Sequence, residues 1–283
     1  THFKGERKVL PQKDNPYVEA FWRWWPDLYP KLKHFRMTGG EPMMDKNTYK
    51  VFEYVIDNPK QDLHLNVTSN FCPPAPALGD RYFNMVKTMC DGAMIEHFMQ
   101  FVSLDAWGEK AEYIRNGMDF STVWYNVNRY LTDIQGHNSI TFIITMNNLS
   151  VSSLKTLMEN ILHLREKYST TYQRVWFDTP ILRQPTWQHI GLLDDSFDVY
   201  FKEAMDYMKM HQHSTDMVAF RDFEIAKLQR CYATMKQGLD DKHTHMANFW
   251  RFFRTHDARR NTDLINTFPE YKAFFDACQK ANQ

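Results

Sequence analysis

Strand-like and helix-like periodicities alternate along most of this 283-residue chain, and that alternation limits its fold more than any other feature. Residues 34–38, 63–67, 99–104, 139–145 and 173–178 read as strands, with Leu63, Leu65 and Val67 on one side of the second. Helical stripes fall between them. Tyr49, Phe52 and Ile56 follow a capping Asp45; Phe83, Val86 and Met89 follow Asp80. Phe120, Val123, Val127 and Leu131 make a third stripe, and residues 150–165 a fourth helix. Asn15, Pro16 and Tyr17 read as an earlier helix start, with Phe21, Trp24 and Leu28 on one face and Pro26 kinking or ending it. Alternation at this pitch means βαβ units and a parallel sheet. Right-handed crossovers then leave two architectures, a doubly wound sheet or a barrel. Beyond residues 182–195 the pattern turns mainly helical, which places a boundary near Leu192, with domains at 1–192 and 193–283.

Size and charge narrow the class. With 43% hydrophobic and 24% charged residues, the chain suits one large globular domain or two unequal ones, large enough to need no disulfide staples. Lys plus Arg and Asp plus Glu both total 34, which argues against general binding to nucleic acid or anionic membranes. No apolar run reaches the ~18 residues of a spanning helix. No signal peptide is visible and the four cysteines are scattered, so a cytoplasmic setting is expected. The chain opens THFKGERKVLPQ without an initiator Met, and reads as processed, trimmed or incomplete.

The first strand runs into Thr38-Gly39-Gly40-Glu41-Pro42. In parallel α/β folds, ligands sit at the carboxyl ends of strands. Two glycines permit positive φ and close approach to the backbone. Their carbonyls are able to accept hydrogen bonds from an ammonium group, Glu41 to add a charge-assisted bond and Pro42 to stiffen the exit. An ordinary Gly-Gly turn with a surface glutamate reads equally well.

Together with other blocks in order, this turn resembles the S-adenosylmethionine (SAM) binding turn of the radical SAM superfamily, which holds the methionyl amino group. Residues 67–71, VTSNF, resemble the segment where the family ends its third strand with Thr-Asn-Gly, with Ser69-Asn70-Phe71 in its place and the glycine absent. Residues 103–117, SLDAWGEKAEYIRNG, are similar to the family's Ser-x-Asp-Gly then Arg-Gly block, with Ala106 replacing Gly and Asn116 inserted before Gly117. The resemblance assigns the SAM carboxylate to Ser103 and Arg115, with Asp105 beside them; Asp105 and Arg115 pairing with each other is the competing reading. Thr145 and Asn147, in TMNN, suit ribose hydroxyls, or serve as turn caps. Trp176 or Phe177 would lie beside the adenine, or in the core. Residues 257–278 resemble the tail of members with a twitch domain, a shortened SPASM extension; from the residues alone they read as a helix, a Pro-started turn and a helix, with Asp257, Arg259, Arg260 and Asp263 on a solvated face. The implied fold is α/β: an incomplete parallel (β/α) barrel of radical SAM type with a mainly helical C-terminal extension.

The superfamily's Cys-x3-Cys-x2-Cys loop, which holds a [4Fe–4S] cluster, is missing; Cys72, Cys90, Cys231 and Cys278 are isolated. In the family that loop precedes the first helix, so the expectation is a chain that starts just after it. With the loop restored, the resemblance implies one-electron cleavage of SAM to methionine and a 5′-deoxyadenosyl radical, hydrogen abstraction from a small-molecule or peptide substrate, and an electron donor such as a flavodoxin or ferredoxin. The rivals are a cluster-free barrel that binds SAM, a nucleotide or a partner without catalysis, and a barrel hydrolase using Asp105, Glu41 and histidines with a divalent metal. The pairs His211/His213 and His243/His245 share a face only in extended chain, so metal is not expected there. No Rossmann, P-loop or nucleophile-elbow motif occurs. Residues 20–35 mix aromatics with basic residues and read as packing on the sheet, with Arg23, Lys31 and Lys33 in solvent.

Overall fold

The computed structural model describes residues 15–169, 171–213 and 216–283. Helix α1 (Pro16–Leu28) leads to strand β1 (His34–Met37); then follow α2 (Lys46–Asp57), β2 (Lys60–Ser69), α3 (Pro76–Asp91) and β3 (Ile95–Ser103). The short α4 (Glu109–Ile114) and α5 (Phe120–Asp133) precede β4 (Asn138–Ile143), and α6 (Leu154–Tyr168) precedes β5 (Val175–Asp178). The remainder is helical: α7 (Asp198–Met210), α8 (Asp222–Gln237), α9 (Lys242–Arg260), α10 (Leu264–Thr267) and α11 (Lys272–Lys280).

Capping chemistry sets several helix starts. Asn15 accepts from the Tyr17 amide at 3.0 Å, Asp45 from Asn47 at 2.8 Å and Asp119 from Thr122 at 2.6 Å. Asp80 is not a cap: α3 begins at Pro76, and the Asp80 carboxylate instead receives Arg129 Nη1 at 2.6 Å. On α1 it is Trp25, not Trp24, that is buried; Trp24 is exposed. Helix α1 turns Trp25 toward Phe35 of β1 and Tyr54 of α2, while Arg23, Lys31 and Lys33 are exposed.

The five strands are all parallel and stand in the order β1-β2-β3-β4-β5. That order is consistent with a partial barrel. A doubly wound sheet reverses its strand order at a switch point. Here each strand adds on the same side of the last, and right-handed crossovers then put every connecting helix on one face. The burial pattern agrees. Leu65, Val67, Phe98, Val102, Ile140 and Phe142 point toward the helices and are buried. The opposite face carries Arg36, Asn66 and Met99 in one registered row, then Thr68, Phe101 and Thr141 in the next. All of these but the buried Thr141 keep some solvent exposure. A parallel sheet covered on both sides reads as continuous apolar runs; the alternation in β2 is that of a sheet covered on one.

Residue 192 marks a change of architecture but not of core. Buried side chains from Trp25 to Cys278 form one continuous cluster. Arg165 of α6 and Glu224 of α8, both fully buried, pair through Nη2 and Oε1 at 2.5 Å and Nη1 and Oε2 at 3.2 Å. Lys227 and Arg230 of α8 donate to the Phe177 and Thr179 carbonyls at 2.6 and 2.9 Å, satisfying backbone acceptors at the end of β5. No helix among the described residues is long and apolar enough to cross a membrane.

Candidate functional site

The C-terminal edge of the sheet gathers most of the residues singled out in the sequence. Beyond β1, Gly39 and Gly40 take φ of +92° and +56°. A Cβ at either would meet nothing within 4 Å, so the turn needs glycine for its backbone conformation, not for close packing. Glu41 does not project toward a ligand. Its Oε1 accepts from Ser69 Oγ at 2.6 Å and from the Met43 amide at 3.1 Å, and its Oε2 from the Asn70 amide at 2.8 Å. Glu41 therefore ties the turn after β1 to the end of β2. Pro42 is buried and opens a single 3₁₀ turn.

The same network accounts for Ser69 and Asn70. Ser69, 2% exposed, donates to Glu41 and accepts from the Phe71 amide at 2.8 Å. Asn70 Oδ1 caps the Cys72 amide at 2.9 Å. Both side chains are committed to the turn. Phe71, at the position where the resemblance expects glycine, has φ of +59° and is fully buried against Phe83 and Tyr130. The backbone adopts the conformation that favours glycine, and a packed aromatic ring occupies it.

After β3, Ser103 is partly exposed and its hydroxyl makes no hydrogen bond among the described residues. Asp105 and Arg115 pair: Nη2 donates to Oδ1 at 3.1 Å, and Nε lies 2.8 Å from Oδ2 but off the N–H direction. Asp105 Oδ1 also accepts from the Thr145 amide at 2.8 Å, joining the loops after β3 and β4. The Arg115 Nη1 edge makes no bond among the described residues, and the side chain stays 29% exposed. Asn147 is buried; it donates to the Thr145 carbonyl and accepts from the Leu149 amide, a turn cap. Phe177 belongs to the core. It lies on the helix-covered face, 6.5 Å from Phe220, while its neighbour Trp176 takes the opposite face. A ring beside an adenine at this strand would have to be Trp176.

Several cavities open along this edge, and two of them are lined by residues singled out in the sequence. One, of about 320 Å³, is lined by Asp105, Arg115, Thr145 and Asn147 together with His256 and Arg260 of α9. The other, of about 230 Å³, is lined by Thr38, Gly39, Pro42 and Arg36 with Phe21 and Phe35. The glycine turn and the Asp105–Arg115 pair thus line different cavities, and Ser103 lines neither.

Two cavity residues, Arg36 and His256, are not singled out in the sequence, and a third, Arg260, reads there only as part of a solvated face. Arg36 spans the open face, with its guanidinium 4.2 Å above the Phe101 ring and Nη2 3.1 Å from Thr68 Oγ1. The alternation of β1 carried that signal, because Arg36 is out of phase with Phe35 and Met37. His256 and Arg260 had none, since their approach to Arg115 depends on how α9 docks. Asp257, read as part of a solvated face, is instead a hub: it accepts from Tyr113 Oη at 2.8 Å, Thr262 Oγ1 at 2.7 Å and the Leu264 amide at 2.9 Å. Burial, reinforced by this carboxylate, holds the Tyr113 phenol far above its ordinary pKa.

A [4Fe–4S] cluster does not fit the residues of this chain. Cys90, Cys231 and Cys278 are buried and Cys72 half-buried, all as free thiols. Burial pushes the Cys90 and Cys278 thiols up to about 12, opposite to what a thiolate ligand needs. No three His, Cys, Asp or Glu side chains among the described residues are arranged to hold a metal ion. The His243/His245 pair lies within α9, where a spacing of two puts the rings on different sides. No family model, curated protein or solved structure matches the chain.

Proposed function

We propose that this chain is the SAM-binding wall of a radical SAM enzyme, a segment of parallel (β/α) barrel whose cluster ligands are not among its own residues. The supporting observation is that three groups with spare capacity stand at the carboxyl ends of β1 and β3, strands of one parallel sheet. These are the left-handed Gly39-Gly40 turn, the unbonded Ser103 hydroxyl and the free edge of Arg115. Strands β1 and β3 are two places apart, so their ends stand about 10 Å from each other. An α-amino acid spans such a gap: its ammonium reaches the turn carbonyls, its carboxylate reaches Ser103 and Arg115, each through a hydrogen bond of about 3 Å.

Each residue then has a defined task. Glu41 holds the turn and leaves its carbonyls to the ligand. Asp105 orients Arg115 without consuming its outer edge. A planar guanidinium fixed in this way matches a carboxylate better than a flexible ammonium would. Thr145 borders the same cavity as Arg115, and on this reading it would meet a ribose hydroxyl. Bound SAM would supply a sulfonium whose bond to the 5′ carbon is cleavable by one electron. The electron source lies outside this chain's own residues. The binding part of the proposal stands without it, as a cluster-free SAM-binding barrel.

Calorimetric titration of the purified chain with SAM tests the reading. Binding is expected with a dissociation constant below about 1 mM. Ser103→Ala should weaken it severalfold and Arg115→Lys about tenfold or more, with unchanged unfolding midpoints. Absence of binding, or equal affinity in both variants, rejects the assignment.

A further inference from the structure

We propose that the cavity between α9 and the ends of β3 and β4 is a binding site for a small anion, a carboxylate or a phosphate, borne on an apolar or aromatic body. Its cationic groups are Arg115 and Arg260. Arg115 is balanced by Asp105, which is 5% exposed. Arg260 has no carboxylate partner among the described residues. Its one polar contact is with His256, whose Nε2 lies 3.0 Å from Arg260 Nη1. His256 Nδ1 in turn lies 3.3 Å from Asp257 Oδ1. The imidazole, 7% exposed, thus receives the guanidinium on one nitrogen and is anchored by the other. Asp257 itself is turned into its hub of Tyr113, Thr262 and Leu264, and does not line the cavity. The charged side chains that do line it sum to one positive charge, and Arg260 is held at one edge with its other donors unused.

The remaining wall defines the rest of the ligand. Tyr113, Leu149, Leu182 and Phe253 give an apolar floor, and Phe252 stands at the lip, 39% exposed. The Phe252 ring meets Phe253 edge-on, with centroids 5.0 Å apart, and the Trp187 ring at 5.9 Å. An exposed phenyl beside a guanidinium suits a flat apolar group that ends in an anion. Gln188 and Asn147 supply polar edges for orientation. About 320 Å³ accommodates a ligand of this kind and is at the lower end of small-molecule sites.

Phenyl phosphate and benzoate, titrated into the chain at low salt and followed by calorimetry and ligand-detected NMR, are the probes, with benzyl alcohol as the uncharged control. At least one anion should bind with a dissociation constant of about 1 mM or below, and the alcohol far more weakly. The arm that binds more tightly identifies phosphate or carboxylate as the anion. Arg260→Gln should weaken the preferred probe at least tenfold, Arg260→Lys less, and Phe252→Ala severalfold, with far-UV spectra unchanged. Lack of saturation by either anion, equal affinity for the alcohol, or indifference to Arg260→Gln overturns the proposal. The site shares Arg115 with the SAM reading but does not depend on it. Probe binding without SAM binding sinks only that reading, and SAM binding without probe binding sinks only this one.

Discussion

His97 should make the fold acid-sensitive. Four histidines cross the sheet near its N-terminal edge: His34, His64 and His97 in register on β1, β2 and β3, and His137 just before β4. The His97 ring lies 6.1 Å from His64 and 4.7 Å from His137, and its Nε2 is 3.0 Å from Ser139 Oγ. Farther out, His34 stacks on His64 at 4.6 Å, Tyr172 meets His137 at 5.0 Å, and Glu96 lies 3.9 Å from His137. Burial, followed by the charges of His137 and His64, pushes His97 down to about 4 from the ordinary 6.5. Between those values the unfolded chain takes up a proton that the folded chain refuses. The stabilising contribution is therefore complete above pH 6.5 and is lost as the pH falls through about 4. The gap, at 1.36 kcal/mol per pH unit, sets a ceiling of about 3 kcal/mol, of which about 2.5 kcal/mol is gone by pH 4.5. Urea unfolding at pH 7.5 and 4.5 should show wild type losing about 2 kcal/mol more than His97→Gln, which keeps a polar partner for Ser139. Equal losses in the two proteins would refute the assignment of the refused proton to His97.

Three further outcomes follow from the packing. Glu41→Gln replaces charge-assisted bonds from Ser69 and Asn70 with weaker neutral ones and should cost about 1–2 kcal/mol in chemical denaturation. At Phe71, where φ is +59°, Phe71→Gly should be at least as stable as Phe71→Ala, reversing the usual order, because both lose the ring but only glycine escapes the left-handed strain of about 1 kcal/mol. Removing one partner of the buried pair, as in Arg165→Met, should cost about 3–5 kcal/mol, and Arg165→Met with Glu224→Leu should recover much of it in a double-mutant cycle.

Much of the sheet was legible because short-range patterns report it directly. All five strands fall where apolar periodicity puts them, and the capping aspartate at 45 marks a true helix start. The misplaced start of α3 has a local cause. Asp80 looks like a cap in sequence, but Pro76 already fixes a helical φ four residues earlier, and Asp80 is left to pair with Arg129. On α1 the apolar face includes Trp25 rather than Trp24, because β1 and α2 present Phe35 and Tyr54 on that side.

The site divides the same way. From sequence alone come the glycine turn at a strand end and the helical character of residues 196–283, since each depends on neighbours within a few positions; the pairing of Asp105 with Arg115, ten positions on, stands there as one of two readings. Tertiary structure alone decided that Glu41 and Ser69 serve each other across two strands, that Phe177 faces the helices, and that His256 and Arg260 meet Arg115 around one cavity. A side chain's partner across 30 or 140 residues is set by strand register and helix docking. Those depend on the summed packing of the whole core, and no local pattern encodes them.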